Sequence, residues 1–484
     1  MLFNSVSYIF LFLPITCIIY FLLLKRKFIP LSIIWLIIVS IFFYGFYDKK
    51  YITLLLLSLI LNFIFGRLFY TKFFNQNKTR KCLLFFSLFV NLLILGYYKY
   101  SNFFIENLNS IFNTNIEFAK IVLPLGISFF TFTQIAYIVD VYKREVKEYS
   151  FINYMLFVTF FPHLIAGPIL HHKEMMPQFK DLKRKILNYK NILTGISLFL
   201  IGLFKKVVVA DSFAAYVLNG YNLDISISML EAWLIMLTYT FQIYFDFSAY
   251  TDMALGSAKL LNIDLPQNFN SPYKAVSIQD FWTRWHITLS RFLRDYIYIP
   301  LGGNRNGELR TFVNLLITML LAGLWHGASW LFVIWGGVHG LALCINRLWK
   351  KTKIVIPKLL SITLTFIFLN LTWVIFRAEN FEQVVRIYIS LFDIKNFSLP
   401  IIHEFGLYYI TNDVLVRYDK ILLLLPLAFV FVFLFNNSSE IIKKVKINTR
   451  TKAILYGIIL SIFFLFCITK MLTNTYTEFI YFNF

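Results

Sequence analysis

Gly323-Leu-Trp-His326-Gly-Ala-Ser-Trp330 is the stretch that decides the fold, because a histidine stands there at the end of the apolar run 312–324. A second histidine lies upstream, in Asp280-Phe-Trp-Thr-Arg-Trp-His286-Ile-Thr-Leu-Ser290. An imidazole at the end of an apolar membrane segment is costly unless it faces a cavity or a partner. The two histidines therefore predict a functional site inside a membrane protein.

The overall composition agrees with a membrane location. The chain has 484 residues, of which 59% are hydrophobic and 15% charged, and its mean hydropathy is +0.69. A soluble chain of this length needs far more polar surface to cover its core. Apolar runs also recur near the length of about 20 helical residues that crosses roughly 30 Å of hydrocarbon. We therefore predict an all-α polytopic membrane protein.

Lysine and arginine give the chain a formal net charge of +21. They fall in short clusters between apolar runs, which is typical of cytoplasmic loops, and no nucleic-acid recognition module accompanies them. This pattern argues against nucleic-acid binding. The first apolar run, 6–24, is followed by Lys25-Arg26-Lys27, the reverse of the charge order in a cleavable signal peptide, and predicts a retained helix with its N-terminus outside.

The alternation of apolar runs and basic loops predicts roughly eleven crossings plus one or two re-entrant pieces, with both termini outside. Segment 151–170 is the re-entrant candidate, because basic residues flank both ends and Pro162 and Pro168 break it. Segment 123–144 carries polar interruptions such as Gln134, which suit a cavity-lining helix. The other predicted helices are 31–47, 52–70, 83–98, 192–209, 230–247, 312–324, 330–345, 359–376, 421–435 and 453–473.

The segment around His286 has the features of a single amphipathic helix. Ser277 and Asp280 have capping-box spacing, and no glycine or proline follows until Pro300, so residues 278–299 are predicted to be helical. The helical period places His286 toward the apolar side. The opposite, polar face carries Arg284, Thr288, Arg291 and Asp295. We expect this helix to lie at the cytoplasmic interface, with its arginines toward headgroups or an anionic ligand.

The two histidines also allow structural roles. A histidine hydrogen-bonded to backbone at the interface explains His286 as well as chemistry does. His326 favours chemistry more strongly, because the small residues Gly327, Ala328 and Ser329 follow it and would leave room for a substrate. A neutral imidazole takes up a proton near pH 7, so the pair predicts acid-base catalysis.

Other candidate groups carry weaker signals. His171 and His172 are adjacent, point to different faces and have no evident third ligand, so no metal site is predicted. Asp246 and Asp252 end an apolar run, as intramembrane proton relays or as partners of a nearby arginine. Nucleotide-binding, Gly-x-Ser-x-Gly and HExxH motifs are absent from the sequence, and no bound cofactor is predicted. Isolated histidines that we interpret as structural are His163, His339 and His403.

Several motifs together resemble the membrane-bound O-acyltransferase family. The resemblance is strongest to a bacterial branch that includes the alginate O-acetylation membrane protein, peptidoglycan O-acetyltransferases and the D-alanyl transfer protein of teichoic acids. The motifs lie at 123–142, 161–168, 202–206, 244–256, 268–303, 323–330, 372–380 and 479–484. They span nearly the whole chain, which implies one membrane domain over 1–484, with a core at 120–380 to which the helices of 1–119 and 381–484 are integral.

The resemblance implies a fold and a set of roles. His326 matches the active-site histidine of the family and His286 its second histidine. The implied fold has about 11 transmembrane helices plus re-entrant and interfacial helices around a central funnel in the bacterial inner membrane. The chain length and the Phe479-Ile-Tyr-Phe sequence resemble the alginate and peptidoglycan acetylation type. His163 departs from the pattern, since relatives often have glutamine there.

The expected reaction is acyl transfer from a cytoplasmic thioester, acetyl-CoA or another acyl thioester. His326 would act as general base, and His286 would orient the acceptor hydroxyl or donate a hydrogen bond to the developing oxyanion. The resemblance implies that the acetyl group passes to an extracytoplasmic partner protein that modifies a polysaccharide. Candidate residues for binding donor or substrate are Arg284, Arg291, Arg294, Trp325, Asp280 and Asn268.

Three alternatives remain open at this stage. The acyl group transferred could be D-alanine, destined for teichoic acid. A transporter would use Asp246, Asp252 and His326 as a polar path, but the related halves typical of such proteins are not visible in the sequence. A noncatalytic scaffold of a polysaccharide export complex has no evident use for two intramembrane histidines.

Overall fold

The computed structural model describes residues 1–46, 48–117, 121–222, 227–397, 401–403, 406–411, 414–417, 419–445, 448–473 and 479–483. Helices make up most of this part of the chain, which confirms the all-α prediction. The chain forms two compact units, one of Met1–Phe199 with Thr251–Gln267 and the other of Leu200–Tyr250 with Asn268–Phe484. Phe484, the last residue of the 479–484 motif, lies outside the described residues.

The first unit contains mainly long apolar helices. Its α-helices are Leu13–Lys25, Ile29–Gly45, Lys50–Leu68, Asn77–Phe112, Ile127–Tyr142, Phe151–Thr159, Phe161–Leu164 and His172–Lys180. Tyr8–Phe12 is π-helical, and Phe73–Asn75 and Leu182–Lys185 are short 3₁₀ turns. Parts of Tyr189–Phe204 and Met229–Leu260 complete the unit. These two helices touch at glycines, since a Cβ at Gly256 would lie 2.7 Å from the carbonyl oxygen of Gly195. The glycines allow backbones to approach as closely as membrane helices often do.

The polar residues of Ile127–Tyr142 are satisfied by neighbouring helices. Gln134 is fully buried, and its Nε2 donates to the Ser58 hydroxyl at 3.1 Å while its Oε1 accepts from the Tyr154 hydroxyl at 3.2 Å. Tyr154 belongs to Phe151–Thr159, the helix that follows along the chain. The prediction that these polar interruptions line a cavity was therefore wrong for Gln134. Buried amides need partners, and here packed helices provide them.

The second unit contains the remaining elements. Its α-helices are Asp211–Gly220, Ile278–Arg284, Ile287–Leu293, Glu308–His326, Trp330–Thr352, Lys358–Arg377, Phe381–Ser390, Asp419–Leu434, Ser438–Lys444 and Arg450–Thr473. Lys205–Ala210 and Arg294–Tyr298 are π-helical, and Pro272–Lys274, Ile394–Asn396 and Ile480–Asn483 are short 3₁₀ turns. Three short strands, Ile401–His403, Gly406–Thr411 and Val414–Arg417, form an antiparallel sheet in the order in which they follow along the chain. Its register pairs Ile402 with Leu407 and Ile410 with Leu415.

Eight helices in the described residues are long and apolar enough to cross a membrane, or nine if the bent pair Ile421–Leu434 and Ser438–Lys444 is one span. Ile29–Gly45 and Ile127–Tyr142 are also apolar but shorter. The multi-pass prediction is thus confirmed. The orientation of the termini and the re-entrant path of 151–170 remain predictions, although that segment does break at Phe160, where Phe151–Thr159 gives way to Phe161–Leu164.

Two helices run well beyond their predicted ends. Asn77–Phe112 continues past residue 98 and stops at Asn113, whose left-handed backbone (φ 51°) ends the helix. Met229–Leu260 continues past residue 247. Asp246 and Asp252 therefore lie inside a helix, whereas we had predicted them at the end of one. Hydropathy marks where a helix becomes polar, whereas backbone hydrogen bonding continues until a residue interrupts it.

Candidate active site

The first histidine of the site lies at a break between two helices. Ile278–Arg284 begins at Ser277, whose hydroxyl accepts from the Asp280 backbone N–H at 3.1 Å, as the capping-box spacing predicted. The helix ends at Arg284, and Ile287–Leu293 begins after His286. The prediction of one helix over 278–299 was therefore wrong. His286 has φ 43° and ψ 53°, a left-handed conformation that few residues other than glycine adopt.

Hydrogen bonds from an extended segment cause this break. The backbone N–H of Asn270 donates to the Arg284 carbonyl at 2.9 Å, and the N–H of Ile287 donates to the Asn268 carbonyl at 3.0 Å. These bonds engage backbone groups that a continuous helix would use internally. A strained backbone at a buried polar residue is a feature of functional sites, because the surrounding structure must hold it there. No local sequence signal predicts the break, because the residues that compete for these backbone groups, Asn268 and Asn270, lie well before the helix in the chain.

The His286 ring is anchored by an amide. Its Nδ1 lies 3.2 Å from Oδ1 of Asn268, and both side chains are completely buried. The same oxygen accepts from the backbone N–H of Thr288 at 3.1 Å and from the Thr288 hydroxyl at 2.9 Å. Burial lowers the pKa of His286, which lies outside the candidate spans, to about 3. The imidazole is therefore neutral at physiological pH.

The second histidine, His326, is the last residue of Glu308–His326 and is 3% exposed. Its ring packs edge-on against Trp335 and Phe376, with centroids 5.2 and 5.1 Å apart, and against the adjacent Trp325 at 5.0 Å. Trp325 and Tyr481 each contact both histidines. The Trp325 centroid is 6.1 Å from that of His286, and the Tyr481 centroid is 6.3 Å from His286 and 5.8 Å from His326. The fold thus brings together the two histidines that the sequence pairs.

The glycines on either side of His326, Gly323 and Gly327, serve packing. A Cβ at Gly327 would lie 2.1 Å from the Phe332 ring, so even alanine would force a shift there. A Cβ at Gly323 would lie 2.1 Å from the backbone oxygen of Phe332, which lies on the next helix, Trp330–Thr352. The expectation that Gly327 leaves room for a substrate was therefore wrong. The glycines let the two helices pack closely enough to fix the end that carries His326.

Tyr481 is a site residue that we did not predict individually. It is buried, and its ring also lies 4.1 Å from that of Phe247, which in turn contacts His286 at 4.8 Å. The neighbouring backbone N–H of Ile480 donates to Oδ2 of Asp246 at 2.8 Å. The sequence signal was the Phe479-Ile-Tyr-Phe motif, but only the fold shows that it meets the histidines.

Asp246 belongs to a buried charge cluster. The Nζ of Lys206 lies 2.8 Å from a carboxylate oxygen of Asp246 and 2.8 Å from one of Asp211. All three side chains are at most 8% exposed. The sequence allowed a nearby arginine as the partner of Asp246, and the structure supplies this lysine from another helix instead. The cluster holds the 479–483 segment through Ile480.

The predicted anion-binding arginines occupy three successive short elements. Arg284 donates to Oδ1 of Asp280 at 2.8 Å, and Arg294 pairs with the adjacent Asp295 at 2.7 Å. Arg291 lies in Ile287–Leu293 and is half-buried. Asp280 thus acts here as a helix-start and ion-pair residue, and the role of the three arginines in donor binding stays a prediction.

An open cavity of about 870 Å³ lies beside Asp280, between Ile278–Arg284, Trp330–Thr352 and Lys358–Arg377. Its lining combines apolar side chains such as Phe368 with Lys350, whose Nζ donates to Oε1 of Gln279 at 2.7 Å. Neither histidine lines it. This cavity and the histidine pair are therefore separate features of the second unit.

Four of the five remaining histidines have structural partners. Nδ1 of His171 lies 3.4 Å from Asp140, and Nε2 of His172 lies 3.3 Å from Glu148. His163 bonds the Phe157 carbonyl at 2.9 Å and His339 the Thr372 hydroxyl at 3.1 Å. The side chain of His403 lies outside the described residues. In the described part of the chain, no group of three or more histidine, cysteine, aspartate or glutamate residues is placed to hold a metal ion.

Comparison with known proteins identifies the family to which this site belongs. The sequence matches the model of MBOAT, the membrane-bound O-acyltransferase family, over residues 41–378. The chain is a member of the membrane-bound O-acyltransferase family. The matched range contains both histidines, and the chain is accordingly an acyltransferase.

Named relatives of this acyltransferase act on bacterial polymers. It is 42% identical over 446 residues to the peptidoglycan O-acetyltransferase of Helicobacter pylori, covering 84% of this chain and 83% of that protein. It is 42% identical over 318 residues to the probable alginate O-acetylase AlgI of Pseudomonas aeruginosa, covering 64% and 60%. Identity to the teichoic acid D-alanyltransferase of Bacillus subtilis is 28% over 275 residues, covering 54% and 70%.

Proposed function

We propose that this acyltransferase moves an acetyl group from a cytoplasmic thioester donor, such as acetyl-CoA, across the membrane for O-acetylation of a cell-surface or secreted polysaccharide. An extracytoplasmic partner protein receives the group and modifies the polymer. The observation that carries the proposal is the meeting of His286 and His326 around Trp325 and Tyr481 in one buried cluster. A scaffold has no evident use for two such imidazoles, and Asp246, which a transporter would need in its polar path, is instead ion-paired with Lys206.

The proposed step follows ordinary acyl-transfer chemistry. His326 takes the proton of an acceptor hydroxyl, and the hydroxyl oxygen attacks the thioester carbonyl. A carbon–oxygen bond forms and the carbon–sulfur bond breaks. The departing thiolate then takes the proton from His326, which restores the neutral imidazole. The surrounding aromatic rings exclude water, which would otherwise hydrolyse the thioester.

The relatives' names favour acetyl as the acyl group. The Helicobacter and Pseudomonas relatives, both 42% identical, are named for O-acetylation, whereas the D-alanyltransferase is 28% identical over a shorter alignment. Peptidoglycan and alginate both offer sugar hydroxyls. D-alanyl transfer to teichoic acid is the second candidate, and it uses the same histidines on a different acyl group.

The donor would approach from the side that carries the arginine-rich elements. Arg284, Arg291 and Arg294 follow one another within eleven residues of the chain, next to His286 in sequence. Guanidinium groups bind phosphate oxygens in a bidentate fashion, which suits a donor of the coenzyme A type. Arg284 and Arg294 would have to exchange their carboxylate partners for phosphate on binding.

The test is His326→Ala in a host that lacks its own copy of this protein. We expect the ester-linked acetyl content of peptidoglycan and of secreted polysaccharide to fall to background, with the protein still present in the membrane at its normal level. Lys351→Ala, which removes an exposed ion pair with Glu308, is the matched control and should leave acetylation unchanged. Normal acetylation in the His326→Ala strain would refute the mechanism, and loss of ester-linked D-alanine instead would select the second candidate.

A further inference from the structure

The hydrogen bonds around Asn268 determine which atom of its amide faces His286. In a side-chain amide, oxygen and nitrogen are distinguished by their partners. The backbone N–H of Thr288, which can only donate, lies 3.1 Å from this atom, and the Thr288 hydroxyl donates to it at 2.9 Å. The atom is therefore the oxygen and accepts hydrogen bonds.

This assignment fixes the proton on His286. Nδ1 of His286 lies 3.2 Å from the same oxygen, which has no hydrogen to give, so Nδ1 must be the donor. A neutral imidazole carries one N–H, and its other nitrogen then presents a lone pair. That nitrogen, Nε2, is buried and has no hydrogen-bond partner among the described residues. A buried nitrogen in this state is suited to accept a hydrogen bond from a bound substrate.

We infer that Asn268 is a positioning residue that holds His286 as its Nδ1–H tautomer, so that Nε2 accepts a hydrogen bond from a hydroxyl or amide group of the bound substrate. This inference rests on the proposed function for its catalytic meaning. It decides between the two roles open to His286, because a neutral ring with its proton on Nδ1 orients a substrate and does not donate to an oxyanion. Proton transfer then belongs to His326.

The surroundings of the ring contain few groups that would oppose this arrangement. Among the described residues, aromatic rings from three other elements contact the His286 ring: Phe247 of Met229–Leu260, Trp325 of Glu308–His326, and Tyr481 of Ile480–Asn483. Of these, Tyr481 is titratable, and His326 is the other titratable group that shares these neighbours. The nearest charged group along the chain from Phe247 is Asp246, which Lys206 neutralises.

The first experiment reads the tautomer directly. Protein labelled with ¹⁵N and ¹³C at histidine is placed in lipid nanodiscs, and the His286 signals are assigned by their loss in His286→Gln. We expect a protonated Nδ1 and an unprotonated Nε2 at pH 7. Thr288→Val keeps the backbone N–H and should leave the tautomer unchanged, whereas Asn268→Leu should produce an Nε2–H signal. A protonated Nε2 in the wild-type protein would overturn the inference.

The second experiment measures transfer of radiolabelled acetyl from acetyl-CoA in membrane vesicles across a range of pH. Asn268→Leu should slow transfer about 10- to 100-fold, which is the range seen when groups that orient an active-site imidazole are removed in metal sites. Asn268→Asp keeps the acceptor but adds a negative charge, which favours imidazolium and raises the pKa of His286. The acidic limb of the pH–rate profile of Asn268→Asp should therefore lie at higher pH than that of the wild type.

The two experiments separate the inference from the proposed function. If wild-type vesicles transfer no acetyl from acetyl-CoA, the donor in the proposed function is wrong, but the tautomer measurement still stands. If transfer is normal in a well-folded Asn268→Leu protein, or if the acidic limb does not move in Asn268→Asp, Asn268 does not position His286 for the reaction. Asn268→Asp also serves if Asn268→Leu fails to fold, because its carboxylate can still accept all three hydrogen bonds, from the Thr288 N–H, the Thr288 hydroxyl and Nδ1 of His286.

Discussion

The two histidines of the site are held by opposite means. His286 stands on a strained backbone, and an amide, a hydroxyl and two backbone hydrogen bonds determine its position. His326 ends a regular helix, and aromatic rings with a glycine contact between helices determine its position. Hydrogen bonds are directional and fix which atom of a ring faces the substrate, whereas packing fixes where the ring lies. The hydrogen bonds around His286 therefore determine which of its nitrogens carries the proton, whereas the packing around His326 determines where its ring lies.

Tyr481, like Trp325, contacts both histidines, and losing the anchor of the Tyr481 segment should have the largest effect. Asp246→Ala removes the acceptor of Ile480 and leaves Lys206 with one carboxylate of the two. Breaking a buried ion pair costs about 3–5 kcal/mol, and we expect the lower end because Asp211 remains. Acetylation and thermal stability in detergent should both fall.

Asp246→Asn is the matched control for that prediction. It removes the charge but keeps an oxygen that can accept from Ile480. If the anchor matters to the site, acetylation by Asp246→Asn should exceed that of Asp246→Ala at equal protein level. Equal activities of the two variants would show that the Ile480 hydrogen bond does not hold the site.

The packing that supports His326 is tested at Gly323. A Cβ there would lie 2.1 Å from the Phe332 carbonyl, so Gly323→Ala must push Glu308–His326 away from Trp330–Thr352. Overpacking of this kind costs about 1–3 kcal/mol, and we expect a lower melting temperature together with reduced acetylation. Gly457→Ala is the control, because a Cβ at Gly457 meets nothing within 4 Å. An unchanged melting temperature for Gly323→Ala would refute the close contact.

The smallest expected effect is on how stability depends on pH, and it comes from the buried, neutral ring of His286. Its folded-state pKa of about 3 is below the ordinary value of about 6.5, so the unfolded chain binds the proton more readily between these values. Its contribution to stability is complete above pH 6.5 and is lost progressively as pH falls toward 3. At pH 5.5 the loss is about 1.4 kcal/mol, one pH unit of linkage. Thermal melts in detergent at pH 7.5 and 5.5 should show a smaller decrease for His286→Gln than for the wild type, and an equal decrease would contradict the buried neutral ring.

The features that could be predicted from the sequence depend on residues that are close together in the chain. The apolar runs and the capping box at Ser277 are read from neighbouring residues, and the structure has both. The errors arose where a distant partner decides. The break at His286 depends on Asn268 and Asn270, and the packing role of Gly327 depends on Phe332. Asp246 was placed at a helix end because hydropathy falls there, although the helix continues to Leu260.

The sequence by itself determined that this chain is a helical membrane protein with two histidines suited to acid-base chemistry, because composition and spacing follow directly from what a bilayer and an imidazole require. Tertiary structure alone decided that Tyr481 and Trp325 meet both rings. It also decided that His286 takes a left-handed backbone and that Asn268 faces its Nδ1. These features depend on contacts between segments far apart in the chain, and such contacts exist only once the helices have packed.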